Sequence, residues 1–239
     1  MITVIKPKKQ TATGKTALIV WGGWGGHTPQ ACAELFAPWL VSKGFRVLVS
    51  DSLEVYADKR RMCGLDLIVP IWTMGEITAE QWAGLRAAVM SGANVAGWHG
   101  GMCDSFRVNT DYQFMTGGQW VAHPGGIIPH RIRITKPRDL IVKGLKDFKM
   151  VSEQYYLHVD PGNDTLATTT FSGRHGNVPW IKGTVMPYVW KRRFGEARIF
   201  YTALGHVADD FKVPEAFEIV KRGMLWAAGE PIVPEYLSP

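Results

Sequence analysis

The chain has 239 residues, 46% hydrophobic and 20% charged, an ordinary soluble globular composition that holds enough apolar residues for one large core. No run approaches the ~18 apolar residues of a membrane span. The net charge of +6 is scattered over Lys6 to Lys15, Lys59 to Arg61 and Lys191 to Arg193 with no recognisable module around it, which argues against a nucleic-acid partner.

The start, Met1 to Lys15, is basic and polar, and the apolar run behind it, Ala17 to Trp21, is too short for a signal-peptide core. A cytoplasmic protein without a membrane partner is expected. Cys32, Cys63 and Cys103 are too few and too far apart for a disulfide framework or a zinc finger.

Thr16 to Trp21 is a continuous apolar run, as a strand buried on both faces requires. It ends in Gly22-Gly23-Trp24-Gly25-Gly26-His27. That spacing fits neither GxGxxG nor a Walker loop, so the loop is read as placing Trp24 and His27 at the strand's carboxyl end. A helix follows from Pro29 to Lys43, with Cys32, Leu35, Phe36, Trp39 and Leu40 on one face. Pro38 inside it predicts a kink or break. Phe45 to Ser50 and Leu65 to Trp72 are the next strands, with a loop and a short helix between them. Thr78 caps another helix, which presents Trp82, Leu85 and Val89 on one face and stops at Gly92.

Asn94 to Trp98 then runs into Gly97-Trp98-His99-Gly100-Gly101, a glycine-hinged elbow with a histidine at its tip. Strict alternation of strand and helix predicts a parallel sheet covered on both faces, with ligands bound beyond the carboxyl ends of its strands. Trp24, His27, Trp72 and His99 all fall at that edge.

From Cys103 the alternation weakens. Tyr112 to Gly118 reads as helical, Gln119 to Gly126 as a loop, and His130 to Thr135 as a half-exposed strand. Ser152 to Tyr156 is a polar and aromatic cluster, and Leu166 to Phe171 and Met186 to Trp190 are further strands. No linker flanks this stretch, so about 112–190 is taken as a β-rich insertion covering the site within a single domain, 1–239. Ala197 to His206 is a strand ending in Gly205 and His206, Pro214 to Ala228 a closing helix, and Glu230 to Pro239 an extended tail. Several of the ten tryptophans lie near strand ends, where they would suit a ring-shaped ligand such as a sugar. Trp24, Trp98 and Trp190 are the candidates for stacking it.

Gly-Trp-His-Gly-Gly at 97–101, Gly-Gly-Gln-Trp-Val-Ala-His-Pro at 117–124, Glu-Gln-Tyr at 153–155, and Pro187 to Trp190 followed by Arg198 to His206 occur in a fairly specific order. On these motifs the chain, from about Ala17 to Gly229, resembles the ThuA-like (trehalose utilisation) proteins. The resemblance implies a flavodoxin-like, three-layer parallel sheet of the class I glutamine amidotransferase type. Amidotransferases of this fold carry a nucleophilic cysteine at the elbow and a catalytic histidine after a late strand. Those places here hold His99 and His206, and Cys103 lies four residues past the elbow tip. Glutamine hydrolysis through a thioester, which needs a thiolate with a basic partner, is therefore not expected.

The resemblance also implies that His27, His99, His123 and His206, four of the seven histidines, lie in loops that can converge. Such a set suits a divalent zinc, nickel, manganese or iron ion, with Glu153 completing or assisting it, or acid–base work near neutral pH. His130, His158 and His175 are left as structural or surface residues. Ser152 stands where an acidic neighbour of Glu153 would be expected, which weakens any role needing two adjacent carboxylates.

The implied function is carbohydrate catabolism on a small-molecule sugar, specifically a trehalose-derived or other 3-keto-glycoside. In that reading Glu153 or His206 is the base and Tyr155 binds a sugar oxygen. His27, His99 and His123 are ligands or electrophiles. The alternative is a sugar-binding protein that keeps the fold without the chemistry, and either reading leaves room for a homo-oligomer.

Overall fold

A computed structural model of the chain describes residues 2–8 and 13–233. The expected tail therefore lies mostly outside the described residues, as do Lys9 to Ala12. Strand β1 (Ile2–Ile5) opens the chain, in the stretch whose basic character suggested no element at all. It is half-exposed and forms the edge of the sheet, pairing antiparallel with one neighbour, so four residues suffice.

The parallel half follows the expected alternation. Strand β2 (Thr16–Gly23), helix α1 (Pro29–Ser42), strand β3 (Arg46–Ser50), helix α2 (Lys59–Met62), strand β4 (Leu67–Thr73), helix α3 (Ala79–Met90) and strand β5 (Asn94–Trp98) succeed one another. Leu18, Ile19, Val20, Ile68 and Val69 are fully buried, which is why these strands read as unbroken apolar runs. Helix α1 runs unbroken through Pro38. A proline there costs one backbone hydrogen bond, and the buried Phe36 and Leu40 on either side hold the helix against the sheet. Thr78 Oγ1 accepts from the Gln81 amide at 3.1 Å and Gln81 Oε1 accepts in return from the Thr78 amide, a reciprocal cap that fixes the start of α3.

After β5 come the short helix α4 (His99–Cys103) and α5 (Thr110–Thr116), then β6 (Gly118–Ala122), β7 (Ile127–Ile134), β8 (Phe148–Glu153), β9 (Tyr156–Val159), β10 (Asp164–Thr170), β11 (Val185–Phe194), β12 (Ala197–Thr202) and α6 (Pro214–Ala228). Ten strands form one mixed sheet in the order β1-β3-β2-β4-β5-β12-β11-β10-β7-β8. The central β3, β2, β4, β5 and β12 are parallel, and everything beyond β12 is antiparallel. The fold is flavodoxin-like α/β.

One correction concerns the stretch 112–190, most of whose strands extend the main sheet edge to edge. The first half of the segment read as a loop from Gln119 to Gly126 is strand β6, paired with β9 in a two-stranded ribbon. Among the described residues, no helix is long and apolar enough to cross a membrane.

Candidate functional site

Four parallel strands deliver their carboxyl ends to one place. Beyond β2 the glycine loop carries His27, β4 ends at Thr73, β5 delivers His99, and the loop after β12 carries His206. The turn at Gly23 has to be glycine: its φ is 73°, and a Cβ there would stand 2.1 Å from the Thr73 carbonyl oxygen. At the elbow, His99 itself adopts φ 47°, a conformation rarely seen in residues with a side chain. Thr28 and Met74, which follow His27 and Thr73, are also left-handed. Backbone strain thus gathers around the same point.

Glu153, at the end of β8, enters this ring of imidazoles from the antiparallel half. His99 Nε2 lies 3.1 Å from Glu153 Oε2 in a hydrogen bond. His206 Nδ1 is 3.2 Å from the same oxygen but off the line of a hydrogen bond, and no other described group satisfies it. His27 Nε2 is 3.9 Å from that oxygen. One potential ligand atom from each of His27, His99, Glu153 and His206 lies within 4.8 Å of all the others. The centroids of the three rings are 4.7, 5.0 and 5.3 Å apart. His99 is 1% exposed.

The outer atoms of the cluster are anchored. His99 Nδ1 faces the Ala203 carbonyl at 2.9 Å, and His27 Nδ1 meets Thr73 Oγ1 at 2.7 Å. Asp210 Oδ2 accepts from both Ser152 Oγ, at 2.6 Å, and the His206 amide, at 2.9 Å, so one carboxylate ties the approach to Glu153 to the loop of His206. Ser152, in the place of an expected acid, is the partner of a carboxylate supplied from elsewhere. Burial pushes the His99 imidazole down to about 3, against the pull of Glu153. Burial opposes the charge on Glu153, yet the contacts from His206, His27 and His99 outweigh it and hold the carboxyl well below the usual range.

The candidate residues divide into three groups. His27, His99, His206 and Glu153 come together in the buried cluster. Tyr155 lies flat against His99, and burial followed by the nearby Glu153 carboxylate raises its hydroxyl well above the ordinary tyrosine value, so it stays protonated. His123 stands apart from the four: its Nε2 is 3.6 Å from the other carboxylate oxygen, Glu153 Oε1, and its side chain is 38% exposed. Trp24, at 46% exposed, meets His27 edge-on at 4.7 Å.

Trp98 and Trp190 belong to the core and cannot stack a ligand. Trp98 is 2% exposed between Phe36 and Phe211. Trp190 is fully buried against Tyr201 and donates its indole N–H to the Thr116 carbonyl at 3.0 Å. Their positions in the strands were right, but the face each side chain takes was not legible. Of the remaining histidines, His130 is buried and bonded to the Ile128 carbonyl, while His158 is exposed on β9.

Two residues the sequence reading did not assign lie beside His123 and Tyr155. Trp120 lies 5.7 Å from His123 and 6.3 Å from Tyr155, and its buried indole N–H has no partner among the described residues. Arg107 stacks on it at 4.5 Å while paired with Asp104 at 2.6 and 2.9 Å. The Gly-Gly-Gln-Trp-Val-Ala-His-Pro motif held both Trp120 and His123, which was the available signal for the former. Cys103 is 1% exposed, and burial raises its thiol far above the range in which a thiolate forms. The elbow carries no thiol nucleophile.

The model of the ThuA family, described as trehalose utilisation, matches residues 16–227. Among solved structures, a ThuA-like protein from Bacteroides uniformis is similar with TM-score 0.74 at 14% identity, covering 90% of this chain and 92% of that one. A ThuA-like protein from Parabacteroides merdae is similar with TM-score 0.67 at 18% identity, covering 92% of this chain and 93% of that one. At those identities the likeness is one of fold. No curated protein matches the chain.

Proposed function

The chain belongs to the ThuA, trehalose utilisation, family, and from that carbohydrate-related role we propose that it is an enzyme acting on 3-keto-glycosides such as 3-keto-trehalose. The observation that carries the reading is the division of labour at the site. One half-exposed imidazole, His123, stands beside the unpartnered indole of Trp120, in front of a buried cluster of three imidazoles and a carboxylate.

A ketone at C3 acidifies the C2–H bond. A base removes that proton, the electron pair forms the C2=C3 double bond, and negative charge collects on the C3 oxygen. Return of a proton elsewhere isomerises the sugar. Collapse of the enolate instead breaks the C1–O bond, which is β to the ketone, and the departing alkoxide takes a proton.

His123 is the base in this scheme. Glu153 and His99 are poor proton acceptors at neutral pH, since both are held far below it, and His99 is closed to solvent. The buried indole N–H of Trp120, which has no partner among the described residues, is the donor for the developing enolate oxygen, where a fixed dipole stabilises charge without reorganising. Tyr155, held protonated, donates to a sugar oxygen. Trp24 and Trp120 contact the ring faces.

The test is incubation of the purified chain with 3-keto-trehalose and simple 3-keto-glucosides, with and without divalent metal, followed by NMR of the products. Turnover that falls by about 10²–10⁴ in His123→Ala supports the reading. No turnover under any metal overturns it.

A further inference from the structure

The proton count at the buried cluster does not close with protein groups alone. Both ring nitrogens of His99 face oxygens that only accept: the Ala203 carbonyl at 2.9 Å and Glu153 Oε2 at 3.1 Å. A neutral imidazole carries one N–H, so one of the two contacts then lacks a hydrogen. His206 Nδ1 is buried, sits 3.2 Å from the same carboxylate oxygen and makes no hydrogen bond among the described residues. His27 Nε2 faces that oxygen at 3.9 Å, also without a hydrogen bond, while its other nitrogen is held by Thr73. Three ring nitrogens thus converge on one carboxylate oxygen that accepts a proper hydrogen bond from only one of them. Buried polar atoms left in that condition are costly unless something else partners them.

We infer that His27 Nε2, His99 Nε2, His206 Nδ1 and a Glu153 oxygen form a binding site for one first-row divalent cation. Ligands at ~2.1 Å from a shared ion stand ~3.0 Å apart at right angles and ~3.4 Å apart at tetrahedral angles, from standard bond lengths. The separations of 3.1 and 3.2 Å from Glu153 Oε2 to His99 and His206 already match, and His27 at 3.9 Å closes with a small movement. The anchoring of His99 Nδ1 on a carbonyl and of His27 Nδ1 on a hydroxyl is the arrangement that orients metal-bound imidazoles and fixes their tautomers. Three imidazoles with one carboxylate favour zinc, iron, manganese or nickel over magnesium and calcium, which prefer all-oxygen sites. Binding leaves the single N–H of His99 on Nδ1, where it donates to the Ala203 carbonyl.

His123, outside the set, stays free for proton transfer. The inference deepens the sugar reading and rests on it for the ion's part in turnover: the cation would be what polarises the substrate's C3 oxygen. The ion itself does not depend on that reading.

The experiment uses the whole purified chain, stripped with dipicolinate and titrated calorimetrically with Zn²⁺ in two buffers of different ionisation enthalpy. A parallel titration with Co²⁺ is followed by visible absorption. The expected result is one ion per chain and an intense Co²⁺ spectrum of low coordination number. Affinity should fall more than about 100-fold in Glu153→Gln and His206→Gln, and about 10–100-fold in Thr73→Val, which removes only the hydroxyl behind His27. No saturable binding to the wild-type chain overturns the inference, as does binding that both ligand variants retain.

If either ligand variant fails to fold by circular dichroism, Thr73→Val and the wild-type cobalt spectrum decide. Unchanged affinity together with a weak octahedral spectrum then overturns the site. Because no sugar is present, an ion bound without any turnover removes only the sugar reading. Turnover by the stripped chain removes only the ion's part in turnover, and a chain that turns over sugar but binds no ion removes only the cation site.

Discussion

The ring of Tyr155 lies flat on that of His99, with centroids 3.8 Å apart and planes 26° from parallel. Tyr155 is 1% exposed, so it forms the floor on which the elbow histidine rests. Removing the ring in Tyr155→Ala leaves a cavity beneath His99 and should cost about 3–5 kcal/mol, read as a lowered urea midpoint. Tyr155→Phe keeps the stack and should leave that midpoint within ~1 kcal/mol of wild type while lowering turnover of a 3-keto-glycoside. Equal turnover in Tyr155→Phe and wild type would take the hydroxyl out of the chemistry.

Gly100 is as constrained as the histidine before it. A Cβ at this position would stand 2.5 Å from His27 Cε1 and 2.8 Å from its Nδ1, although the helical backbone there tolerates a side chain. Gly100→Ala should therefore push His27 off Thr73 at an overpacking cost of about 1–3 kcal/mol. The chain should still melt cooperatively by circular dichroism, with turnover and zinc affinity both reduced. Unaltered zinc affinity would mean that His27 moves freely and is not held by Thr73.

Much of this arrangement was legible in the sequence. Continuous apolar runs such as Thr16 to Trp21 announce buried parallel strands, and the ends of such strands locate a site. His27, His99 and His206 follow from that rule without knowledge of side-chain direction. Trp98 and Trp190 show its limit. Being near a strand end fixes height along the sheet, but a one-residue change of face decides between the site and the core. Trp98 turns toward Phe36 of α1 and Trp190 toward Thr116 at the end of α5. Strand β6 was hidden for a different reason, because its only sheet partner, β9, lies beyond two intervening strands of the main sheet. Arg107 carried no signal, since its place depends on stacking with Trp120, which only the folded chain brings to it.

Acid should weaken the fold through His130. This residue is buried, and burial lowers its proton affinity below the ordinary 6.5, against the pull of the Ile128 carbonyl and Asp210. Its other nitrogen lies 3.3 Å from the Tyr188 hydroxyl. In the unfolded chain the ring takes up a proton near pH 6.5, whereas in the folded chain it does so only at lower pH. The folded state thus binds fewer protons in that window. Its contribution to stability is complete above pH 6.5 and is lost as the pH falls below it. Melting temperatures from pH 7.5 to 5 should decline less steeply in His130→Gln than in wild type, and parallel slopes would refute this assignment.

The cysteines offer a test of the rejected amidotransferase chemistry. Burial raises Cys103 strongly and pushes Cys32 up to about 12, while Cys63 is exposed. Iodoacetamide at pH 7.5 should modify Cys63 alone in the native chain, as read by peptide mass spectrometry. Cys103→Ala should retain whatever sugar turnover the wild type has. Rapid labelling of Cys103, or loss of activity with its thiol, would restore a nucleophile to the elbow.

Proton abstraction next to a ketone leaves a direct mark in heavy water. Wild-type chain incubated in D₂O with a 3-keto-glucoside should replace the hydrogen at C2 with deuterium above the enzyme-free rate, seen as loss of the C2 proton signal by NMR. His123→Ala should bring exchange back to the enzyme-free rate. Wild-type chain that binds the sugar and shows no exchange beyond that rate would contradict an enolate-forming function for this site.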